Sequence, residues 1–156
     1  LTAKEDNQVN RIVDALLRND AFTTRLKGST PEVPAIGNIG GFPFRAKADI
    51  LKQEKIYDLK TTSNIQAFPI SAQKYNYDLQ AYIYCTLFNV DWWNFEFIVV
   101  DKSSIDVAIY DCSEEFYNSG KRKLEKALEY YRLFFHEKTE SEIITALDNY
   151  TFYGTL

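Results

Sequence analysis

The sequence contains no methionine, and its only histidine is His136. Leu1 stands where an initiator methionine would, so a further segment is expected upstream in the natural chain. With one histidine there is almost nothing from which to build a histidine-rich metal site or a Ser/His/Asp relay. Cys85 and Cys112 are the only cysteines, too few for a zinc ribbon or a four-thiolate iron–sulfur cluster. Two thiols in 156 residues do not make a disulfide scaffold either, and reduced intracellular thiols are expected. No apolar run approaches the ~18 to 20 residues of a membrane-spanning helix, and no charged-then-apolar leader opens the chain. No membrane partner is therefore expected. Eighteen basic against twenty-two acidic residues leave a net charge of -4. That excludes wholesale coating of nucleic acid but leaves room for a local basic groove.

Hydrophobic residues make up 46% and charged residues 26% of the chain, which excludes wholesale disorder and fibrous repeats. The length fits a single domain over residues 1–156. Val9, Ile12, Val13, Leu16 and Leu17 recur at helical spacing within a segment from Ala3 to Leu26 and give one buried stripe. Prolines in Gly28–Pro34 mark a loop or a short edge strand. The glycine-rich stretch Gly37–Gly41 lacks a P-loop lysine and reads as a turn. From Phe42 the period becomes two, and Lys52-Gln53-Glu54-Lys55 separates two strands as a hairpin. Ser71 is placed as the N-cap of a helix running to about Phe88. Asn94–Val100 and Ile105–Tyr110 form a second hairpin, and Ser113 caps a long final helix. Gly120 on that helix permits a close helix–sheet approach. A short helix and an aromatic tail follow from Thr139. The expected order is α-β-β-β-α-β-β-α, an α/β fold.

Register carries the functional reading. A turn symmetric about Gln53 and Glu54 sets Ile50 against Tyr57, Ala48 against Leu59 and Ala46 against Thr61, an apolar face. On the other face Asp49 meets Asp58 and Lys47 meets Lys60. Opposed Cβ atoms lie about 4.5 to 5.5 Å apart, and like charges there are destabilising. The pairing makes sense if a divalent cation lodges between Asp49 and Asp58, with Lys60 aimed at the same point. Carboxylates are hard ligands suited to Mg²⁺ or Mn²⁺. A cation so held serves phosphodiester cleavage, and an adjacent ammonium can orient or deprotonate the attacking water. A plain solvated hairpin face with paired surface acids and lysines is the alternative. In the helix that follows, Gln73, Asn76, Tyr77, Gln80 and Tyr84 share a stripe that can contact phosphate or stack on a base. An ordinary amphipathic helix accounts for the same stripe.

These pieces resemble the PD-(D/E)XK nuclease superfamily, and within it the RecE-type (exonuclease VIII-like) exonucleases of phage and prophage recombination. The matching segments are the strands Phe44–Leu51 and Ile56–Thr62 and the helix Tyr75–Tyr84, similar to the Tyr-x-x-Gln-Ala and Gln-x-x-x-Tyr patterns. The second hairpin and the Gly120–Lys123 helix are also similar. The resemblance implies a mixed sheet of about five strands flanked by helices, the restriction-endonuclease-like αβββαβ core. It implies that Asp49, Asp58 and the main-chain carbonyl of Leu59 hold Mg²⁺ or Mn²⁺. Lys60 would serve the attacking water, and Gln80 and Tyr84 would help hold the lysine strand and the DNA end. Glu32 matches a glutamate that some relatives place near the metal. Arg45, Lys47, Thr61, Thr62, Tyr77 and Tyr84 make up the expected DNA contacts.

The implied activity is a metal-dependent exonuclease that resects ends of linear double-stranded DNA, with a single-strand annealing recombinase as partner. Rings of subunits are common among such relatives, which implies a homo-oligomer. The implied setting is the cytoplasm of a bacterial or phage-infected cell. The rival is an inactive nuclease-fold domain that binds DNA or a protein without cutting. RecE-type enzymes also carry a metal-binding histidine on an upstream helix, and nothing before Glu32 is a histidine. Lys121, Arg122, Lys123 and Lys126 are either a basic track or an ordinary charged helix surface. Trp92 and Trp93 read as core anchors with an exposed edge, and His136 as a helix-end residue favoured by the dipole.

Overall fold

The computed structural model describes residues 2–151 and Tyr153. Leu1, Phe152 and residues 154–156 lie outside that description, and with them part of the sequence-predicted aromatic tail. The elements are α1 (Ala3–Arg18), α2 (Asp20–Leu26), β1 (Thr30–Ile39), β2 (Phe42–Lys52), β3 (Lys55–Thr62), α3 (Phe68–Lys74), α4 (Tyr77–Phe88), β4 (Phe95–Asp101), β5 (Val107–Asp111), α5 (Glu114–Phe134) and α6 (Glu140–Asp148). The strands form one sheet in the order β1-β2-β3-β4-β5. All pairs are antiparallel except β3 and β4, which run parallel over Ile56–Thr62 and Phe95–Asp101. A parallel pair needs a long crossover, and α3 with α4 supplies it. This is the mixed five-stranded, helix-flanked sheet of the restriction-endonuclease-like fold.

Alternation along the central strands feeds two cores. Ile56, Phe95, Phe97 and Val99 pack with Ala48 and with Ala81 and Cys85 of α4. Tyr57, Ile98, Val100 and Ile50 pack on the opposite side with Leu16 of α1 and Phe22 of α2. Strand β4 is buried over its whole length. Both thiols are free and buried, and burial pushes each up to about 12.

Several boundaries differ from expectation. The single first helix is two, because the Asn19 side chain accepts from the Phe22 N–H at 3.0 Å and caps a new helix. Only the Ile12–Leu16 edge of its apolar stripe meets the sheet; Val9, Val13 and Leu17 are exposed. Strand β1 takes in the proline-flanked stretch and Gly37–Ile39, which leaves Gly40 and Gly41, both at positive φ, as the turn. The helix placed from Ser71 to Phe88 is broken at Asn76, which adopts a left-handed conformation (φ 57°, ψ 38°), and the first piece starts at Phe68. Ser113 does cap α5, its Oγ accepting from the Phe116 N–H at 3.1 Å.

The chain divides into two compact units, residues 1–121 and 122–156. In the second, Tyr150 stacks edge-on against Phe134 at 5.1 Å and Tyr130 at 6.1 Å, beside a helix α6 opened by a Thr139–Glu142 capping box. Among the described residues, no helix is long and apolar enough to cross a membrane.

Candidate active site

The β2–β3 hairpin keeps the expected register at its base, with Ile50 opposite Tyr57, Leu51 opposite Ile56 and Lys52 opposite Lys55. Beyond Ile50 the ladder ends. The expected pairings of Ala48 with Leu59, Ala46 with Thr61 and Lys47 with Lys60 do not form: the β2–β3 ladder stops after Ile50 and Tyr57, while β2 stays paired with β1 on its other edge and β3 with β4 on its other edge. The strands part at the level of Asp49 and Asp58.

The phase of β2 also changes there. Ala48 belongs to the α4-side core and Ile50 to the opposite one, although a regular strand would put them on the same face. Asp49 lies at the shift. Its partner position on β1, Glu32, is missing from an otherwise regular ladder and has a φ of 56°, a region non-glycine residues rarely enter and one that clusters at functional sites. The Asp49 carboxylate turns inward and its Oδ2 accepts the main-chain N–H of Leu59 at 2.8 Å. Asp49 thereby ties the two diverging strands at the point where their own ladder fails.

Asp58 shares its face of β3 with Ile56 and Lys60 and is 2% exposed. Gln80 of α4 donates its Nε2–H to Asp58 Oδ1 at 2.6 Å. The Lys60 ammonium forms an ion pair with Oδ2, yet Oδ2 is buried and accepts no well-directed hydrogen bond. Lys60 also sits 4.7 Å over the ring of Tyr77, which fixes its amine from the far side. Burial pushes the Asp58 carboxyl up to about 6, and Asp49 adds to this; Lys60 and Gln80 act the other way.

That shift predicts a pH dependence of stability. A carboxyl raised above its ordinary value favours the folded state when protonated, so its contribution is full below about pH 4 and lost as pH rises through about 6. The metal-free protein is therefore expected to lose stability across that window relative to Asp58→Asn. Urea unfolding of both proteins at pH 4.5 and pH 7 measures it, and a difference that does not change with pH would contradict the burial argument.

The carboxyl pair fits a hard divalent cation. The buried Asp58 oxygen is met by an ammonium rather than by a well-directed hydrogen bond, so a positive charge is what this position accepts, and a second carboxylate, Asp49, is bound to the adjoining main chain at Leu59. Among the described residues, no three His, Cys, Asp or Glu side chains gather as a metal cluster. Mg²⁺ does not demand one, since it is commonly held by one or two carboxylates and keeps several waters.

The other candidates are distributed as follows. Glu32 stands across from Asp49, but its carboxylate is occupied by the Lys47 ammonium. That pair holds the Lys47 amine above its ordinary range. Arg45 is exposed on β2. Tyr84 packs against Phe95 and Phe88. The Thr62 hydroxyl is committed to a turn with Asn64, while Thr61 is exposed.

This geometry agrees with the comparisons to known proteins. Residues 1–143 match the model of a family described as a PDDEXK-like domain of unknown function (DUF3799). The chain belongs to this family. Among solved structures, the PDDEXK-like domain superposes on a candidate exonuclease from Eubacterium rectale with a TM-score of 0.72 and 17% identity. The likeness covers 96% of this chain and 62% of that one, and at such identity it speaks for the fold alone. A second solved structure, SSO0001, shares 19% identity over 70% of this chain and 55% of its own, with a TM-score of 0.46, and no argument rests on it. None of the curated proteins compared matches. The PDDEXK-like domain thus spans about three-fifths of the length of its solved relative.

Among the described residues three buried acids escaped the sequence reading, Asp78, Glu96 and Asp101, the last accepting the main-chain N–H groups of Ile65, Ser103 and Ser104. Asp78, in the first turn of α4, accepts from the Ser119 hydroxyl at 2.7 Å and from the Leu79 N–H at 2.9 Å. Glu96 is clasped by Arg25 at 2.6 Å and approached by Lys55 at 3.6 Å. For Glu96 a signal existed, since an acid inside the apolar run of β4 requires a cation.

Proposed function

We propose that this domain is a divalent-metal-dependent deoxyribonuclease that hydrolyses phosphodiester bonds, acting as an exonuclease on the ends of linear duplex DNA in recombination. One observation carries the proposal: Asp58 is buried where two strands diverge, with one oxygen gripped by Gln80 and the other ion-paired with the Lys60 ammonium, while Asp49 accepts the main-chain N–H of the next residue, Leu59. The family description and the name given to the solved relative support the same reading. A cation between Asp49 and Asp58 would supply charge neutralisation at the scissile phosphate and a more acidic water. Lys60 would orient that water, held in place between Asp58 and the Tyr77 ring. Gln80 would keep the Asp58 carboxylate from rotating away.

The proposal extends to a single-strand annealing recombinase as partner, to a homo-oligomer, and to the cytoplasm of a bacterial or phage-infected cell. The rival, a non-cutting nuclease-fold domain, is favoured by the lack, among the described residues, of a third metal-binding side chain at the site and by the engagement of Glu32 with Lys47.

Titration with Mn²⁺ is expected to show a site in the wild type that Asp58→Ala abolishes. Incubation with Mg²⁺ and matched linear and closed-circular duplexes is expected to degrade the linear form alone. Cutting of circles would turn the reading towards an endonuclease, and equal weak Mn²⁺ binding by both proteins would favour the non-cutting domain.

A further inference from the structure

Next to Lys60, the end of β3 opens into a cleft of about 210 Å³ whose walls include Thr61, Ser71, Tyr75, Tyr77 and Lys102. Its aromatic wall depends on the break between α3 and α4. In a regular helix, side chains two positions apart do not face each other. Here Tyr75 leaves the helical conformation (φ -94°, ψ 11°) and Asn76 turns left-handed, and the rings of Tyr75 and Tyr77 come to 6.1 Å. The result is a row that starts at the buried carboxylate: Asp58, Lys60, the Tyr77 face at 4.7 Å from the amine, then the Tyr75 ring. Tyr77 is anchored by Phe68 and Phe97 behind it, but Tyr75 is 60% exposed and meets that cluster through the Tyr77 ring. On its outer side lies the Lys74 ammonium, 5.6 Å from the ring centre.

The left-handed Asn76 separates two rings with different surroundings: Tyr77 after it is anchored in the core, while the Tyr75 ring before it stays largely in water. An exposed flat ring with the Lys74 ammonium beside it, in a cleft also lined by Thr61, Ser71 and Lys102, suits a base and its phosphate. Stacking uses the π-face common to all bases, and the cations take the backbone. We propose that this cleft is a subsite for one unpaired nucleotide next to the scissile phosphate. Tyr75 is its stacking platform and Lys102 its phosphate contact. The inference rests on the nuclease reading for its location beside Lys60, and it adds a substrate feature: a frayed or single-stranded nucleotide in preference to a fully paired one.

The test uses a labelled duplex with a short single-stranded overhang and its blunt counterpart. Binding is measured by anisotropy in Ca²⁺ and cleavage in Mg²⁺. Tyr75→Ala is expected to weaken overhang binding about tenfold and to raise KM with little change in kcat, with Tyr75→Trp restoring both. Blunt-duplex binding should change much less. Lys102→Ala is expected to flatten the salt dependence of overhang binding by about one phosphate contact. If the wild type cleaves DNA and Tyr75→Ala matches it on both substrates, the platform is overturned and the nuclease reading stands. If the wild type binds the overhang through Tyr75 but never cleaves, the nuclease reading falls and the subsite stands. A wild type that binds neither DNA overturns both.

Discussion

Lys60→Ala is expected to lower the rate of DNA cleavage by about a thousandfold, within the range lost when a positioned proton-handling or charge-stabilising group is removed. The same variant should still bind Mn²⁺ at pH 8. The two effects separate because Lys60 contacts the Asp58 carboxylate without supplying a ligand of its own. The ammonium is one of the groups that hold the Asp58 carboxyl down against the effect of burial, so its loss should raise that carboxyl further above 6. Cation binding requires the ionised form. Its pH midpoint in Lys60→Ala should therefore lie higher than in the wild type, with affinity converging at alkaline pH. Calorimetric Mn²⁺ titrations at pH 6 and pH 8, together with single-turnover cleavage of linear duplex, provide the check. Cleavage at the parental rate would refute the role given to Lys60.

Asp58→Ala gives a different pattern, in which metal binding and cleavage disappear together at every pH. The contrast identifies which half of the site fails. A domain that retains a Mn²⁺ site dependent on Asp58, yet cuts neither linear nor circular DNA, would be the non-cutting relative. In that case the engagement of Glu32 by Lys47 is the natural place to look for the lost function.

The hairpin shows what a sequence can and cannot disclose. Its base was legible because a polar tetrapeptide between two alternating runs leaves one economical register, and Ile50 does face Tyr57. Extending that ladder sets Asp49 opposite Asp58, whereas in the structure the ladder has already stopped and Asp49 instead accepts the main-chain N–H of Leu59. Alternation assumes a continuous partner. It has no way to register that the β2–β3 ladder stops after Ile50 and Tyr57, where the phase of β2 shifts at Asp49, while β3 stays paired with β4 on its other edge. The left-handed Glu32 and Asn76 were hidden for a related reason, because tertiary contacts impose these conformations on residues whose local preferences allow several others. Gln80 was found from helical spacing. The resemblance placed it against the lysine strand, but a stripe on a helix does not state that Asp58 is the strand residue beneath it.

Gly120→Ala is expected to destabilise the protein by about 3 to 5 kcal/mol, among the largest effects a single methyl group can produce. A Cβ at this position would run into the main-chain carbonyl of Asp78 and come within 2.9 Å of the Leu79 nitrogen. Both obstacles are backbone in the first turn of α4, so no side chain can rotate away. The sequence suggested that Gly120 lets a helix approach the sheet; the close approach is instead of one helix to another. Alanine's better helix propensity, worth about 1 kcal/mol, is too small to offset the collision. Ser119→Ala is the control, since it removes only the hydroxyl bond to Asp78 and should cost about 1 to 2 kcal/mol. The displacement should also reach the active site. Gln80 lies two residues beyond Asp78 on α4, and a shift of that turn lengthens its 2.6 Å bond to Asp58. Gly120→Ala is therefore expected to weaken Mn²⁺ binding under conditions where the fold survives, and Ser119→Ala to leave it near the wild-type value. Urea unfolding and Mn²⁺ titration of both variants test the two halves of the argument. A Gly120→Ala protein as stable as the wild type would mean that the α4–α5 crossing is looser than the structure shows, and the rigid seat assigned to Gln80 would fall with it.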